Sequence, residues 1–211
     1  MRRVFVDPEA PQRDAIEEAA HWILLGEIVA LPTDTLYGLA VDPFNAAAVA
    51  RLFAAKGRQE DRGIPLIAAD RAQIEQHIGA LVGPAAQLAE RFWPGPLTLQ
   101  LSAPRALAAA VSAGTGQVGV RVPADRCASA ICAAVGRPIT ATSANVSGAP
   151  APTRPDDVEQ ALGDRVTLLF DAGPSRGGAP STIVDLHAEE PTLVRAGAVS
   201  WDDIQACLNK P

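Results

Sequence analysis

The stretch Leu31-Pro-Thr-Asp-Thr-Leu-Tyr-Gly-Leu39 continues the apolar run Ile28–Leu31. A short apolar run of this kind is typical of a buried strand. Hydroxyls, a carboxylate, a phenol and a glycine therefore gather at the carboxyl end of a strand, which is the edge where open α/β sheets bind ligands. A plain turn needs only Pro, Asp and Gly. The additional threonines and the tyrosine predict a pocket that holds a small ligand in one orientation.

The rest of the chain alternates between helix and strand patterns. Helical spacing and caps, including Asn45 as an N-cap, predict helices over Pro11–Leu25, Ala46–Ala55, Arg71–Ile78, Pro84–Phe92, Ala124–Val135, Asp156–Leu162 and Trp201–Leu208. Short apolar or alternating runs predict strands over Val4–Val6, Ile28–Leu31, Pro65–Ala68, Leu97–Leu101, Gln117–Val122, Ile139–Ala141, Val166–Phe170, Thr182–Leu186 and Leu193–Arg195. In Leu97–Leu101, Thr98 and Gln100 are expected to point outward. Because several strands follow one another near the end, we expect an α/β (α+β) fold with a mixed parallel and antiparallel sheet flanked by helices, in one domain over 1–211.

Charge and hydropathy exclude several classes of protein. The chain has 211 residues, with 18 Lys and Arg against 24 Asp and Glu, so its formal net charge is −6. General nucleic-acid binders are basic, so any RNA contact here requires a local basic patch. No apolar run reaches about 18 residues, the length that spans a membrane. The N-terminus lacks the apolar stretch of a signal peptide, and a cytoplasmic protein without membrane contact is expected.

Two further features are explained by structure alone, without a functional role. Cys127, Cys132 and Cys207 form an odd set without a disulfide framework, and they are expected to be small residues packed in helices. Gly114-Thr-Gly-Gln-Val-Gly119 matches the dinucleotide-binding fingerprint. That fingerprint must follow a strand and open a helix, whereas here it precedes a strand. We interpret it as a flexible turn that leads into the strand ending near Arg121.

Cations after the second helix form a candidate phosphate clamp. Lys56-Gly-Arg58 is followed by a polar loop that contains Arg62 and Gly63. Lys acts as a point charge and Arg as a bidentate fork, so the pair is suited to a polyphosphate. The alternative is a solvated helix end, where cations are also favoured.

The segment Thr142-Ser-Ala-Asn145 offers two hydroxyls and an amide after an apolar run. Such groups suit a nucleotide, although an ordinary cap or Asx turn uses the same residue types. Ser181 follows a Gly- and Pro-rich loop, and Arg195 ends a short strand. Predicted strand ends thus carry Thr33, Thr35, Tyr37, Arg121, Ser143, Asn145, Ser181 and Arg195. A cleft of cations and hydroxyls, without a His or Cys nucleophile, is typical of phosphoryl and nucleotidyl transfer.

Seven motifs in order carry a family resemblance. They are Pro32-Thr-Asp-Thr-Leu-Tyr-Gly-Leu39, Lys56-Gly-Arg58, Pro96-Leu-Thr98, Val118-Gly-Val-Arg-Val-Pro123, Thr140-Ala-Thr-Ser-Ala-Asn145 with Ser147-Gly148, Ser181-Thr-Ile-Val-Asp185 and Arg195-Ala-Gly197. Over about residues 10–200 the chain resembles the YrdC-like family, the threonylcarbamoyl-AMP synthases. The resemblance implies a twisted mixed sheet around a deep cavity. Because the chain ends soon after Arg195, it resembles the short, single-domain form.

The resemblance also implies a reaction. L-threonine, bicarbonate or CO2, and ATP give L-threonylcarbamoyl-AMP, pyrophosphate and water. A threonylcarbamoyl-transferase complex then modifies an adenosine beside the anticodon of tRNA, with a weak tRNA contact to the synthase itself. Mg2+ is expected to bridge the ATP phosphates without direct protein ligands. The Gly173–Pro180 loop is the expected lid over the labile product.

Residue roles follow from the same resemblance. Thr33, Thr35, Tyr37, Arg121 and Ser181 are expected to bind threonine, with Arg121 on its carboxylate. Lys56 and Arg58 are expected to be catalytic and to grip the phosphates. The remaining nucleotide contacts are assigned to Ser143, Asn145 and Arg195, with Thr142 or Ala144 giving backbone contacts.

The chain departs from its relatives at two positions. Gln59 stands where many relatives have Pro, and Ala68-Ala69 stand where long-form relatives have a His near the substrate.

Two other functions are alternatives to the synthesis of threonylcarbamoyl-AMP. One is a non-catalytic tRNA- or rRNA-binding module, which the net charge disfavours. The other is a carbamoyl-transfer domain like that of hydrogenase-maturation proteins, which occurs in much longer chains.

Overall fold

A computed structural model describes residues 1–58, 63–175, 177–188 and 190–209. Within these ranges eleven strands and seven α-helices are present, and the strands form two sheets. No helix in the described part of the chain is both long and apolar enough to cross a membrane. The mixed α/β class is confirmed, with the strands divided between two sheets where one was expected.

The inner strands of the first sheet are buried on both faces. Its five strands are β1 (Arg2–Phe5), β2 (Val29–Leu31), β3 (Gly38–Ala40), β8 (Thr142–Ser143) and β9 (Leu168–Asp171). They lie in the order β1-β9-β2-β3-β8, with β9 parallel to both neighbours and β3 antiparallel to both of its own. Ala30 packs into one hydrophobic core, whereas Val29 and Leu31 pack into the other. A strand covered on both sides has a continuous apolar sequence, which explains the run at 28–31.

The second sheet has one apolar face and one polar face. Its six strands are β4 (Leu66–Ile67), β5 (Leu97–Ser102), β6 (Gln117–Arg121), β7 (Ile139–Thr140), β10 (Thr182–Asp185) and β11 (Thr192–Arg195). Their order is β11-β10-β5-β6-β4-β7, with β10–β5 and β4–β6 parallel and the other pairs antiparallel. Leu97 and Leu99 enter the larger core. Thr98 and Gln100 face away from that core, as the alternation predicted, and they line a cavity.

Seven helices cover the sheets. They are α1 (Arg13–Leu24), α2 (Ala46–Lys56), α3 (Arg71–His77), α4 (Pro84–Phe92), α5 (Arg126–Val135), α6 (Pro155–Leu162) and α7 (Trp201–Leu208). α1 and α5 pack together over the smaller core, which includes the buried thiols of Cys127 and Cys132. Asn45 caps α2 by accepting a hydrogen bond from Ala48 N at 3.1 Å, as predicted. Gly57 ends α2 in the left-handed region, with φ 58°.

The two sheets are joined where the chain passes from β7 to β8. These strands belong to different sheets, and only Ala141 separates them. The hydroxyl of the fully buried Thr140 accepts a hydrogen bond from Val41 N at 2.9 Å and donates one to Leu39 O at 3.2 Å. The second sheet is thereby bonded to the end of β3 in the first. The predicted strand Ile139–Ala141 ends one residue early, at Thr140, and β8 was not predicted.

Candidate functional site

A cavity of about 640 Å³ lies between the two sheets. Its wall contains the loop between β2 and β3 on one side and the polar face of the second sheet on the other. Nine of the residues selected from the sequence line it: Thr33, Thr35, Tyr37, Arg58, Arg121, Thr142, Ser143, Ser181 and Arg195. The remaining two, Lys56 and Asn145, lie behind this wall and contact it through Ser143 and its neighbours.

The two threonines of the β2–β3 loop have different surroundings. The Thr33 hydroxyl accepts hydrogen bonds from Thr35 N and Leu36 N, both at 3.2 Å, and donates to Leu36 O at 2.7 Å. These bonds close the turn on itself, as Ser and Thr hydroxyls do in loops. The Thr35 hydroxyl contacts only that of Thr33, at 3.1 Å, among the described residues. Thr33 therefore shapes the loop, and Thr35 keeps hydrogen-bonding capacity for a ligand.

Tyr37 connects this loop to the segment after β9. Its hydroxyl donates to Gly173 O at 2.6 Å and accepts from Ala172 N at 3.3 Å. Burial raises the pKa of Tyr37, so the phenol stays protonated and keeps donating. Ser175 adds a second connection, because its hydroxyl donates to Thr35 O at 3.2 Å. The first part of the expected lid is thus attached to the cavity wall, while Arg176 within it lies outside the described residues.

Arg121 is already paired inside the protein. Its Nη1 donates to Oδ1 of Asp34, and the two side chains are only 8% and 6% exposed. Asp34 Oδ2 also accepts from Ala124 N at 3.2 Å. Sequence reasoning did not select Asp34. The signal was present, because a carboxylate at the end of a buried strand needs a cationic or hydrogen-bonding partner.

A cluster of hydroxyls and a second guanidinium adjoins Arg121. The hydroxyls of Thr98 and Ser181 lie 2.8 Å apart, and Arg195 Nη2 donates to Ser181 O at 2.6 Å and to Ser181 Oγ at 3.0 Å. Burial, and secondly the charge of Arg121, lower the pKa of Arg195. Gly119 is paired with Gln100 on β5 and lies diagonally from Thr98, and a Cβ at Gly119 would lie 3.0 Å from Thr98 Cγ2. Thr98 was not chosen from the sequence, although the alternation of β5 marked it.

Lys56 anchors the segment after β8. Its Nζ donates to Ser143 O, to Asn145 O at 2.8 Å and to Asn145 Oδ1 at 3.5 Å, and Ser147 N donates back to Lys56 O at 2.9 Å. Burial, and secondly the charge of Arg58, lower the pKa of Lys56 to about 8. Asn145 borders a second, smaller cavity of about 190 Å³. Lys56 and Asn145 therefore fix the position of Ser143 and are one layer removed from the main cavity.

Arg58 reaches the cavity at its rim. It donates to Thr142 Oγ1 at 3.3 Å and to Gly63 O at 3.1 Å, and its guanidinium lies 5.9 Å from the centre of the Phe53 ring. The predicted loop residues Gln59 and Arg62 lie outside the described residues. The turn at 114–116 leads into β6 as expected, and Thr115 in the turn and Gln117 at the start of β6 line the wall.

The chemistry of the wall is that of an anion receptor. Three guanidinium groups and several hydroxyls line it, and no carboxylate does so among the described residues. Guanidinium groups bind carboxylates and phosphates through paired hydrogen bonds. The fold and the cavity thus define a mixed α/β protein with a cavity between two sheets whose lining is suited to anionic ligands.

The comparison with protein families identifies the family to which the chain belongs. The family model Sua5_yciO_yrdC, described as telomere recombination, matches residues 21–197. The chain belongs to this family, and the resemblance inferred from the seven motifs is confirmed.

Named relatives resemble nearly the whole chain. The threonylcarbamoyl-AMP synthase of Pyrococcus abyssi is 36% identical over 94% of this chain and 60% of its own length. That of Bacillus subtilis is 38% identical over 98% of this chain and 61% of its own. The crystal structure of P. abyssi Sua5 complexed with L-threonine matches with a TM-score of 0.94 at 35% identity, covering 99% of this chain and 61% of that one. The chain spans about three fifths of the length of these relatives.

Proposed function

We propose that this chain is a nucleotidyltransferase that forms L-threonylcarbamoyl-AMP from L-threonine, bicarbonate or CO2, and ATP. The observation that carries the proposal is one cavity lined by residues of separate sequence motifs, among them Thr35, Arg58, Arg121 and Ser181. The names of its relatives support the same activity. The product would pass to a threonylcarbamoyl-transferase complex that modifies tRNA in the cytoplasm, with a weak tRNA contact to this chain. Residues 1–211 would fold as one domain.

The amino acid is assigned to the end of the cavity that contains Arg121. Its guanidinium would bind the threonine carboxylate. Thr35 and Ser181 carry hydroxyls on the same wall and would contact the amino acid's polar groups. Tyr37 would contribute through its position, because its hydroxyl is bonded to Gly173 and Ala172.

The nucleotide is assigned to the end that contains Arg58, Thr142 and Ser143. Arg58 would contact the phosphates directly, and Lys56 would add its positive charge through the Ser143–Asn145 segment that it holds. Arg195, which is bonded to Ser181, would lie where the two ends meet, beside the adenylate and close enough to Arg121 for their charges to interact. The described residues contain no group of three His, Cys, Asp or Glu side chains that could hold a metal ion. A Mg2+ ion held by the ATP phosphates would neutralise phosphate charge there.

The reaction would follow two steps. The threonine amine attacks CO2, or bicarbonate with loss of water, and gives up a proton to become a carbamate. A carbamate oxygen then attacks the α-phosphorus of ATP in line, and pyrophosphate leaves. Arg58 and Lys56 would stabilise the negative charge that develops on the phosphates. The 173–180 loop, fixed at its start by Tyr37 and Ser175, would exclude water from the mixed anhydride.

The test is amino-acid-dependent release of pyrophosphate. The protein is incubated with ATP, Mg2+, bicarbonate and each standard amino acid in turn, and threonine-selective release is expected. An Arg58→Gln variant should lose most of this release. Arg13→Gln is the matched control, because Arg13 is exposed and pairs with Glu17 far from the cavity wall. Absence of release together with tight tRNA binding would replace the proposal with the RNA-binding module.

A further inference from the structure

The Asp34–Arg121 ion pair bridges the two sheets at the cavity wall. Asp34 lies in the loop between β2 and β3 of the first sheet, and Arg121 is the last residue of β6 in the second. Both side chains are more than nine-tenths buried. Arg121 lines the cavity and Asp34 does not, so a ligand would meet the guanidinium and leave the carboxylate behind it.

Asp34 is held from a second direction as well. Its Oδ2 accepts the backbone N–H of Ala124, just after the end of β6. One carboxylate thus bonds both the side chain of Arg121 and the backbone three residues later. A carboxylate fixed at both oxygens restricts the guanidinium to one orientation, which removes an entropic cost from ligand binding.

The same carboxylate sets the charge at this end of the cavity. Arg121 and Arg195 supply two positive charges, and the charge of Arg121 adds to the effect of burial in lowering the pKa of Arg195. Asp34 supplies one negative charge in contact with Arg121. The three groups sum to one positive charge, which matches a ligand that presents a single carboxylate.

We propose that Asp34 is a positioning and specificity-determining residue. It orients Arg121 for one carboxylate and keeps the local charge low enough to disfavour amino acids with an acidic side chain. This inference rests on the proposed function, since it assumes that the Arg121 end binds the amino acid.

The test is the isosteric variant Asp34→Asn, which removes the charge and keeps the shape. The KM for threonine should rise about tenfold, with kcat changed by less than about threefold. The preference for threonine over aspartate, measured as the ratio of kcat/KM values, should fall by about fivefold or more, because the end of the cavity then carries two positive charges. A purely structural defect would lower activity with both amino acids alike.

Asp42→Asn is the matched control. Asp42 also caps a local backbone N–H, that of Phe44 at 2.9 Å, and pairs with an arginine, Arg137 at 3.4 Å, but it does not line the cavity. This variant should leave both the KM and the amino-acid preference unchanged. An Asp34→Asn enzyme with the KM and preference of the wild type would overturn the inference, as would a loss confined to kcat.

A measurement on the wild-type protein covers the case in which Asp34→Asn does not fold. The guanidinium of Arg121, assigned by its loss in Arg121→Lys, should give separate 15N signals for its two Nη atoms because the ion pair slows rotation. Averaged signals would overturn the inference. This readout needs no substrate, so it remains decisive if threonine-dependent pyrophosphate release is absent and the proposed function itself fails.

Discussion

Lys56 and Arg121 are both buried cations beside one cavity, yet their charges are balanced differently. Lys56 donates to backbone carbonyls and one amide oxygen, with no carboxylate partner among the described residues. Arg121 is paired with the carboxylate of Asp34. The carbonyl and amide dipoles around Lys56 do not change its net charge, whereas the carboxylate of Asp34 cancels the charge of Arg121. In the proposed function, the charge of Lys56 would therefore support the phosphate end of the cavity, and the Asp34–Arg121 pair would orient the amino-acid end.

Removing the cation from the ion pair should have the largest effect. Arg121→Gln leaves Asp34 buried without its partner, which is expected to lower the free energy of unfolding by about 3–5 kcal/mol. Urea denaturation monitored by circular dichroism gives this value. Threonine-dependent pyrophosphate release should be lost as well.

A double variant separates these two consequences. Asp34→Asn combined with Arg121→Gln buries no charge, so most of the lost stability should return while threonine use stays absent. A double variant as unstable as Arg121→Gln alone would show that the charge of Asp34 is not the source of the instability.

Removing the cation at the phosphate end should cost less. Lys56→Met removes the donor to both oxygens of Asn145 and leaves Ser143 O with only the bond from Asn145 N, so a loss of about 2–3 kcal/mol is expected. Arg51→Met is the control on the same helix, because Arg51 donates to Gly26 O at 2.6 Å away from the cavity wall. Its loss should be below about 1 kcal/mol. Equal losses of unfolding free energy in the two variants would show that Lys56 and Arg51 contribute equally to stability.

The titration of Lys56 gives a smaller, pH-dependent effect. Burial lowers its pKa from 10.5 to about 8, so the folded protein releases this proton while the unfolded chain still holds it. Between these values the unfolded state binds more protons, and the free energy of unfolding should rise with pH relative to Lys56→Met. Pyrophosphate release should fall over the same range as the ammonium charge is lost. Lys56→Arg, which stays charged, should flatten the activity profile if it folds, and an unchanged alkaline limb would contradict the assignment.

Arg195 should show the smallest effect. It lies on the exposed edge strand β11, and its bonds to Ser181 are partly open to solvent. Arg195→Ala is expected to change stability by less than about 0.5 kcal/mol, as surface substitutions do. The KM for ATP should rise a few-fold in steady-state assays. A large loss of unfolding free energy in Arg195→Ala would contradict this and show that Arg195 contributes to stability as Lys56 and Arg121 do.

The sequence predicted the fold wherever a pattern extended over several residues. The helices and most strands lie within a few residues of their expected limits, because periodicity and caps are local properties. β3 was missed, since Gly38–Ala40 follows a turn motif that masks a three-residue strand. The assignment of β7 and β8 to different sheets is not encoded by any local pattern. It depends on how distant strands pair.

The candidate site shows the same limit. Residue types at strand ends predicted seven members of the wall, because polar groups there have no role in the core. The motifs Lys56-Gly-Arg58 and Thr142-Ser-Ala-Asn145 added Arg58 and Thr142. Their bonding partners were not predictable. That Tyr37 bonds to the segment after β9, Lys56 to the Ser143–Asn145 segment and Arg121 to Asp34 follows from contacts between residues far apart in the sequence. Such contacts fix which groups face a ligand and which support it.

The crossing at Thr140–Thr142 limits how this protein can be recombined with its relatives. A chimera whose breakpoint falls inside residues 139–145 would take Thr140, bonded to the end of β3, from one parent and the Lys56-bound segment from the other. Breakpoints before α5 or after Ser147 keep this stretch as one inherited block. Gene-shuffling libraries should therefore recover active clones mainly from crossovers outside it.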